Sequence, residues 1–561
     1  MSQSRSESPD QVLKSAGAMG IATLMSRVMG LVREQVFAYF FGAGNLTDAF
    51  QVAFRIPNLL RDLFAEGAMS ASLVPTFTRT RIEEGESRAI RVAGLVFRVL
   101  FIVVTVLSIL GIVFAPELVA LYASAFKAVP GKFELTVRMT RMMFPFFPLV
   151  ALAAAFMGIL NAYGVFFLPA FASALFNVTS VIVGVIFSQI FAYWGGKYGI
   201  LSIEGMAIGV VAGGAVQAFC QLPTLYKKGY RWIPKQIHDP AWYEDPRLKK
   251  MLWMMVPGTI GLAATQVNIL INTILATSQG TGAVAWLNFA FRLMQFPIGI
   301  FGVSLASATL PRISQQWVKN DITGVSQSIT QGLRTVFAVN LPASAGLAFL
   351  GYPIIQLIFQ YGRFYHEDTQ ATAMALAMYA IGLTAYSAVK VLVPACYALG
   401  NTKVPVLSSL LAVAVTIVLN LIMVKSFGYW GLALGTSIAA IINAVYLLIS
   451  IRAMIRRKNG ELALLPLFES FGVYLILSLF MGAISYYSHQ LLSHWLSDAS
   501  FAERFGRVGV IFGRGFRVGV LITEACAIYW GLCTLLKMKE AIAATDLFMG
   551  KLKKKLSQKQ T

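Results

Sequence analysis

TLMSRVMGLVREQVFAYFFGAG (23–44) and, directly after it, TDAFQVAFRIPNLLRDLFAEGAMSASLVP (47–75) are the stretches whose reading decides the fold. Each is long and apolar enough to form a membrane-spanning helix. Together they nevertheless carry Arg27, Arg33, Glu34, Asp48, Arg55, Arg61, Asp62 and Glu66. An ionised side chain facing lipid at the bilayer centre costs about 2.5–3.5 kcal/mol on insertion scales. These residues must therefore line a wet cavity or pair with one another.

Helical spacing favours a cavity. Arg27 and Glu34 share one face of the first span, with Gly30 between them, while Arg33 projects about 100° away from Glu34. Arg55, Asn58, Asp62 and Glu66 make an i, i+3, i+4 stripe on the second span, with Arg61 beside it, and Pro57 and Gly67 are points where that helix can bend. Mutual pairing leaves Arg27, Arg33, Arg61 and, on the eighth span, Arg292 in excess. Arginine is the side chain for a phosphate-like group, because its planar fork makes bidentate, charge-assisted bonds and stays protonated in low dielectric. Lys390, in YSAVKVLVPACYALG (386–400), either extends the same cationic cavity or serves by snorkelling or a structural pairing.

Outward from this stretch the whole chain has membrane composition. Of 561 residues, 57% are hydrophobic and 13% charged, and mean hydropathy is +0.69. Soluble domains carry about a quarter charged residues. A hydrocarbon core takes roughly 20 helical residues per crossing, so the chain reads as an all-α polytopic membrane protein of about fourteen spans. They lie near 18–41, 47–77, 92–123, 136–161, 168–194, 204–226, 250–277, 281–309, 325–350, 371–398, 404–426, 430–454, 464–488 and 507–536. The interval 351–370 is expected to be interfacial or re-entrant.

The net charge of +21 falls mostly in short loops, where it acts on topology and anionic headgroups rather than on nucleic acid. The basic segments 79–91, 227–236, 452–458 and 551–555 all fall on one side, which places both termini in the cytoplasm. Lys127, Lys132 and Lys197 fall in the outer loops. Arg98, Arg138, Arg141 and Arg334 sit near span ends and are expected to snorkel; Arg507, Arg514 and Arg517 are expected to meet headgroups. No cleaved signal peptide is read at the N-terminus. The four cysteines (Cys220, Cys396, Cys526, Cys533) have no metal-ligand spacing.

The halves repeat. FRIPNLLRDLFAEGAMSASLVPTF (54–77) reads against FRLMQFPIGIFGVSLASATLPRI (291–313), and GILSIEGMAIGVVAGGAVQ (199–217) against GYWGLALGTSIAAIINAVY (428–446), which sets Gly199 on Gly428. Six spans, a basic loop and six more form a transporter pattern with substrate between the repeats. The corresponding divisions are an N-terminal lobe (1–226), a cytoplasmic amphipathic linker (227–249), a C-terminal lobe (250–458) and two additional helices with a basic tail (459–561). Catalytic and nucleotide-binding motifs are absent: there is no HExxH, no Walker lysine loop and no GxSxG. That weighs against an enzyme, and so many charges at membrane depth weigh against a passive scaffold.

SRVMGLVRE, FGAG-x-x-TDAF, FRIPNLLRDLFAEGA and FRLMQFPIG resemble the MurJ/MviN family of lipid II flippases, within the multidrug/oligosaccharidyl-lipid/polysaccharide exporter superfamily. The resemblance runs the length of the chain. It implies two six-helix lobes in a V-shape around a cationic cavity, two extra helices that make a groove for a polyprenyl tail, and alternating access in the inner membrane of a bacterium. The implied substrate is lipid II, the undecaprenyl-pyrophosphate-linked peptidoglycan precursor, carried by a monomer beside cell-wall synthesis proteins. Arg27, Arg33, Arg61 and Arg292 stand at the positions the family associates with the pyrophosphate. Asp48, Asn58 and Glu66 match the family pattern and are implied to hold the first two helices in register. The family's usual Asp after the second arginine is Glu34 here, and an acid commonly found three residues after the eighth-span arginine is Gln295. No cofactor is expected. The second half offers Asn420 and Thr436 but no evident buried acid for sodium, so coupling to membrane potential or to a monovalent ion stays open. The alternatives are a flippase for another polyprenyl-linked glycan and a drug/ion antiporter of the same superfamily.

Overall fold

A computed structural model of the chain describes residues 9–63, 70–230, 253, 266–538 and 540, and every regular element among them is helical. The chain packs as two compact units, Met1–Ala285 and Trp286–Thr561. In the first, α1 (Pro9–Phe41) and α2 (Asn45–Arg61) lead into α3 (Ser70–Glu84), α4 (Glu86–Val113) and α5 (Ala115–Ala123). Then follow α6 (Lys132–Met143), α7 (Phe146–Ala162), α8 (Phe167–Trp194), α9 (Glu204–Phe219), α10 (Leu222–Lys227) and α11 (Gln266–Thr277). Helix α12 (Ala283–Pro297) starts at the end of this unit and runs into the second. There a π-turn (Ile298–Gly302) leads to α13 (Val303–Val318), α14 (Ile322–Phe349) and α15 (Gly351–Phe359). The chain continues through α16 (His366–Ala398), α17 (Lys403–Arg456), α18 (Leu465–Trp495) and α19 (Asp498–Leu535).

Among the described residues nine helices are long and apolar enough to cross a bilayer, or ten if the bent pair α14–α15 is one span. α17 is long enough for two, because Gly428 interrupts it at φ 61°, ψ −143°, a conformation essentially reserved for glycine. Gly199, its partner in the repeat, is also left-handed at φ 65°. The matched glycines thus make sharp turns that a side chain would strain. α1 and α2 are not among the nine: Arg27, Arg33 and Glu34 interrupt α1, and α2 has 17 residues. The expected span 250–277 lies mostly outside the described residues, as does the linker 227–249 beyond Tyr230. The interval 351–370 is a break: α15 turns 71° away from α14.

Lipid tails are as apolar as leucine, so helices in a membrane associate through close packing rather than hydrophobic expulsion. α8 and α9 meet in this way. A Cβ on Gly209 would run into the Ser180 carbonyl oxygen, closer than any side chain tolerates. α3, α4 and α7 close around Phe77, Phe97 and Phe156, while α1, α2, α6 and α9 close around Phe37, Phe50, Met143 and Met206. In the second unit α14, α16 and α17 bury Leu333, Val391 and Leu447. The last two helices attach to α14 through Tyr474, Leu477 and Cys533 packed on Leu341, and through the Tyr529 hydroxyl, which donates to the Ala338 carbonyl at 2.7 Å.

Several charges expected to reach lipid headgroups are tied inward instead. Arg514 and Arg517 are 8% and 5% exposed and share the carboxylate of Asp498. Arg514 also donates to the Gln356 and Gln360 carbonyls at the end of α15. Arg138 pairs with buried Glu204 at 3.1 Å and Arg334 with Glu540 at 3.0 Å. The physical reason is the same each time. A carboxylate within reach gives a charge-assisted bond without the need to stretch to the interface.

Candidate functional site

α1 places Arg27, Arg33 and Glu34 within its second half. Glu34 is 4% exposed and accepts from Arg33 Nη2 at 2.8 Å. The Arg33 guanidinium also lies 5.8 Å from the ring centroids of Phe54 on α2 and Phe176 on α8, so two aromatic faces fix its plane. Arg27 is half-buried one turn below Gly30. Beside it Asn177 of α8 donates to the Ser26 carbonyl at 3.2 Å and holds α8 against α1.

The same arrangement recurs at the end of α2. Arg61 donates to Asp62 Oδ1 from Nε at 3.1 Å and from Nη2 at 2.7 Å. Gln266 of α11 reaches the other oxygen of Asp62 at 3.4 Å. The helix widens to π spacing at Asp62 and Leu63, and such widening is frequent at functional sites. Asn58 sits one turn earlier, and its Oδ1 is buried without a hydrogen-bond partner among the described residues. Glu66 lies outside the described residues.

These pairs correct the expectation that Arg33 and Arg61 are in excess over the acids. Neighbouring positions on a helix diverge by about 100°, but an arginine is long enough to curl back onto the next residue's carboxylate. Each pair uses only part of a guanidinium that has five N–H donors. Both arginines are paired with the carboxylate next to them.

Asp48 behaves differently. It is fully buried and accepts from Lys132 Nζ of α6 at 2.9 Å. It also accepts from the backbone N–H groups of Gly282 at 2.8 Å and Ala285 at 3.1 Å. The carboxylate thus caps the start of α12, where unpaired N–H groups and the helix dipole favour negative charge. Its partners lie on α6 and at the start of α12, rather than on the first helix as the register reading implied. Lys132, assigned to an outer loop from the sequence, is 4% exposed, with Nζ 4.0 Å from the Phe126 ring centroid. Lys132 and Asp48 are far apart in sequence, so no spacing rule links them.

In the second unit Arg292 of α12 and Lys390 of α16 are exposed, and Gln295 is half-buried. Their helices meet where Gly302, at the end of the π-turn, packs on Ser387, one turn before Lys390. The Ser387 hydroxyl donates to Asn340 Oδ1 at 2.9 Å, and both residues are fully buried. The sequence reading overlooked one buried acid of this half, Asp368. It accepts from Trp286 Nε1 at 2.9 Å and from its own helix start at the Tyr365 N–H, 3.0 Å away. Asn420 packs under Gly435, and Thr436 bonds the Leu432 carbonyl. Among the described residues no three His, Cys, Asp or Glu side chains are grouped to hold a metal ion.

A family model described as "Lipid II flippase MurJ" matches residues 37–505. A lipid II flippase MurJ of Burkholderia cenocepacia is 36% identical over 431 residues, covering 77% of this chain and 82% of that one. A probable lipid II flippase MurJ of Bdellovibrio bacteriovorus is 36% identical over 448 residues, covering 79% and 82%. Among solved structures, a lipid II flippase MurJ in an inward closed conformation has the same fold, with TM-score 0.71 and 24% identity over 95% of this chain and 99% of that one. An inward-facing multidrug resistance MATE family transporter has TM-score 0.65 and 16% identity over 79% and 99%.

Proposed function

The chain belongs to the lipid II flippase MurJ family, and from that premise we propose that it carries lipid II from the inner to the outer leaflet of a bacterial cytoplasmic membrane by alternating access. It is a transporter, and both its termini face the cytoplasm. The observation that carries this reading is the pairing of Arg33 with Glu34 and of Arg61 with Asp62. A pyrophosphate replaces the two carboxylates as partner of the guanidinium groups, with Arg27 a further cation of the first unit; Arg292 and Lys390 are the cations the second unit offers to the substrate.

The exchange has an energetic rationale. A transporter must return empty, and each uncompensated charge at membrane depth costs about 2.5–3.5 kcal/mol. Glu34 and Asp62 stand in for the substrate during that return. Asn58 supplies a further polar atom beside the second arginine. Asp48 holds the outer end of α2 on α12 and serves as the outer gate. The membrane potential acts on the remaining positive charge at about 2.3 kcal/mol per charge per 100 mV and drives the return. The prenyl tail occupies an apolar cavity of about 500 Å³ in the second unit, lined by Phe337 and Phe349 of α14 and by Phe471 and Leu475 of α18. The protein works as a monomer beside cell-wall synthesis proteins.

The test is reconstitution of the full chain in vesicles, with binding and flipping of defined lipid II measured for Arg27→Ala, Arg33→Ala, Arg61→Ala and Arg292→Ala. Each variant is expected to insert normally and to lose translocation. Wild-type flipping by all four removes the pyrophosphate site. Flipping that is indifferent to an imposed potential but dependent on sodium replaces the proposed driving force.

A further inference from the structure

The crevice between α14 and α18 continues past the apolar cavity. Next to it, at the end of the unit that carries Arg452, Arg456, Arg457 and Lys458, lies a polar chamber of about 840 Å³. The two abut residue by residue: Leu333 and Leu467 line the apolar part, Arg334 and Pro466 the polar part. The polar walls are hydroxyls and carboxamides such as Thr330, Gln327 and Gln331, with Arg334, Glu461 and Glu540 the charges among the lining residues. An apolar sleeve that opens into a hydrogen-bonding chamber has the shape of a site for an amphiphile.

Charge selects the headgroup. Arg334 and Glu540 pair at 3.0 Å, and Glu540 also accepts from the Tyr474 hydroxyl. Glu461 lies exposed at the chamber's rim, which makes the lining negative by one charge among the described residues. Arg334 Nε is buried and meets Glu540 at an angle that makes no hydrogen bond. The Arg334 side chain lines the chamber and is 26% exposed, and a guanidinium carries five N–H donors, so the pair with Glu540 does not exhaust it. We propose that this crevice holds a resident aminophospholipid, with its ammonium at Glu461, its phosphate at Arg334 and an acyl chain in the apolar cavity. A zwitterion fits a lining that pairs one cation with two anions; an anionic head such as phosphatidylglycerol or the pyrophosphate of the substrate is repelled. The head site stands without the transport reading. Competition between its acyl chain and the prenyl tail rests on that reading, and it makes transport depend on membrane lipid composition.

The experiment is native mass spectrometry of the purified full chain titrated with dioleoyl phosphatidylethanolamine or dioleoyl phosphatidylglycerol. The ethanolamine lipid is expected to be retained about tenfold better, and Glu461→Gln to remove that preference while leaving phosphatidylglycerol unchanged. Glu461 is exposed, so its substitution leaves packing intact. Equal retention of the two lipids, a preference for phosphatidylglycerol, or an unaltered preference in Glu461→Gln overturns the proposal. Arg27→Ala is the control. Loss of lipid II binding with phosphatidylethanolamine retained separates the two sites; a parallel loss of both makes the crevice part of the transport site and ends the proposal.

Discussion

α2 and α12 are the two copies of one repeated segment, and they treat charge in opposite ways. In the register that sets Phe54 on Phe291, Asp48 falls on Ala285, the residue whose N–H it caps. One carboxylate therefore occupies the start of its own helix and satisfies the start of the other copy. Further along, α2 carries Arg61 with Asp62 as its immediate counter-ion, whereas α12 carries an exposed Arg292 followed by Gln295. In this register α2 holds Asp48 and Asp62 where α12 and the π-turn hold Ala285 and Gly299. Asp48 ties α2 to α6 and to the start of α12, whereas Glu34 and Asp62 are each ion-paired with the residue beside them on one helix, where a change of partner to a ligand breaks no ion pair between helices. The elements that an ion pair joins decide which role a charge plays.

The largest effect is expected where burial is complete. Asp48→Ala leaves the Lys132 ammonium without a counter-ion and frees two N–H groups at the start of α12. Breaking a buried pair by removing one partner costs about 3–5 kcal/mol. Denaturant unfolding of the purified protein is expected to register a loss of that size, with Lys132→Met in the same background restoring part of it. A loss no greater than for a surface pair, under about 1 kcal/mol, places Asp48 in the same exchangeable class as Glu34 and dissolves the distinction.

Next comes the exchange itself. Arg33→Ala is expected to weaken lipid II binding at least tenfold, or about 1.4 kcal/mol. Glu34→Gln, by contrast, is expected to tighten binding a few-fold and to slow turnover, because the counter-ion for the empty return is gone. Separate titration and flipping assays on one preparation resolve the two. If both variants weaken binding equally, the pair is structural and the carboxylate is not a stand-in for substrate.

The all-helical membrane class was legible in the sequence because it follows from composition and local spacing, while among the described residues nine or ten helices, rather than fourteen, are long and apolar enough to cross a bilayer. FRIPNLLRDLF announces its charges at helical period, and Gly428 announces its turn by matching Gly199. What was not legible depends on long-range closure. Lys132 reads as a loop lysine until α6 brings it onto Asp48, and Arg514 as a headgroup contact until the end of α15 offers its carbonyls. The pairing of Arg33 with Glu34 was illegible for another reason: helical direction places adjacent side chains apart, and only the length of arginine overrides it. Asp368 escaped notice as an ordinary helix-start acid because the indole that buries it lies on another helix.

The smallest expected effect sharpens the comparison most, because it makes the second copy resemble the first. Gln295→Glu adds one oxygen-borne charge at nearly constant volume, three residues after Arg292 on the same helix. Side chains at that spacing are neighbours, and an opposite-charge pair there contributes about 0.2–0.5 kcal/mol in isolation and up to about 1 kcal/mol in good geometry. The new carboxylate competes with the pyrophosphate for Arg292, so lipid II affinity is expected to fall about two- to fivefold. Binding is expected to regain its wild-type value when Gln295→Met replaces the glutamate, since methionine keeps the volume without the charge. A weakening that persists with methionine means that the side-chain amide itself contacts substrate, and Gln295 then belongs with the ligand-binding residues. An affinity unmoved by either change means that Arg292 does not meet the phosphate at all. In that case the first unit's self-paired arginines carry the anion alone, and the asymmetry between α2 and α12 marks the working copy of the repeat.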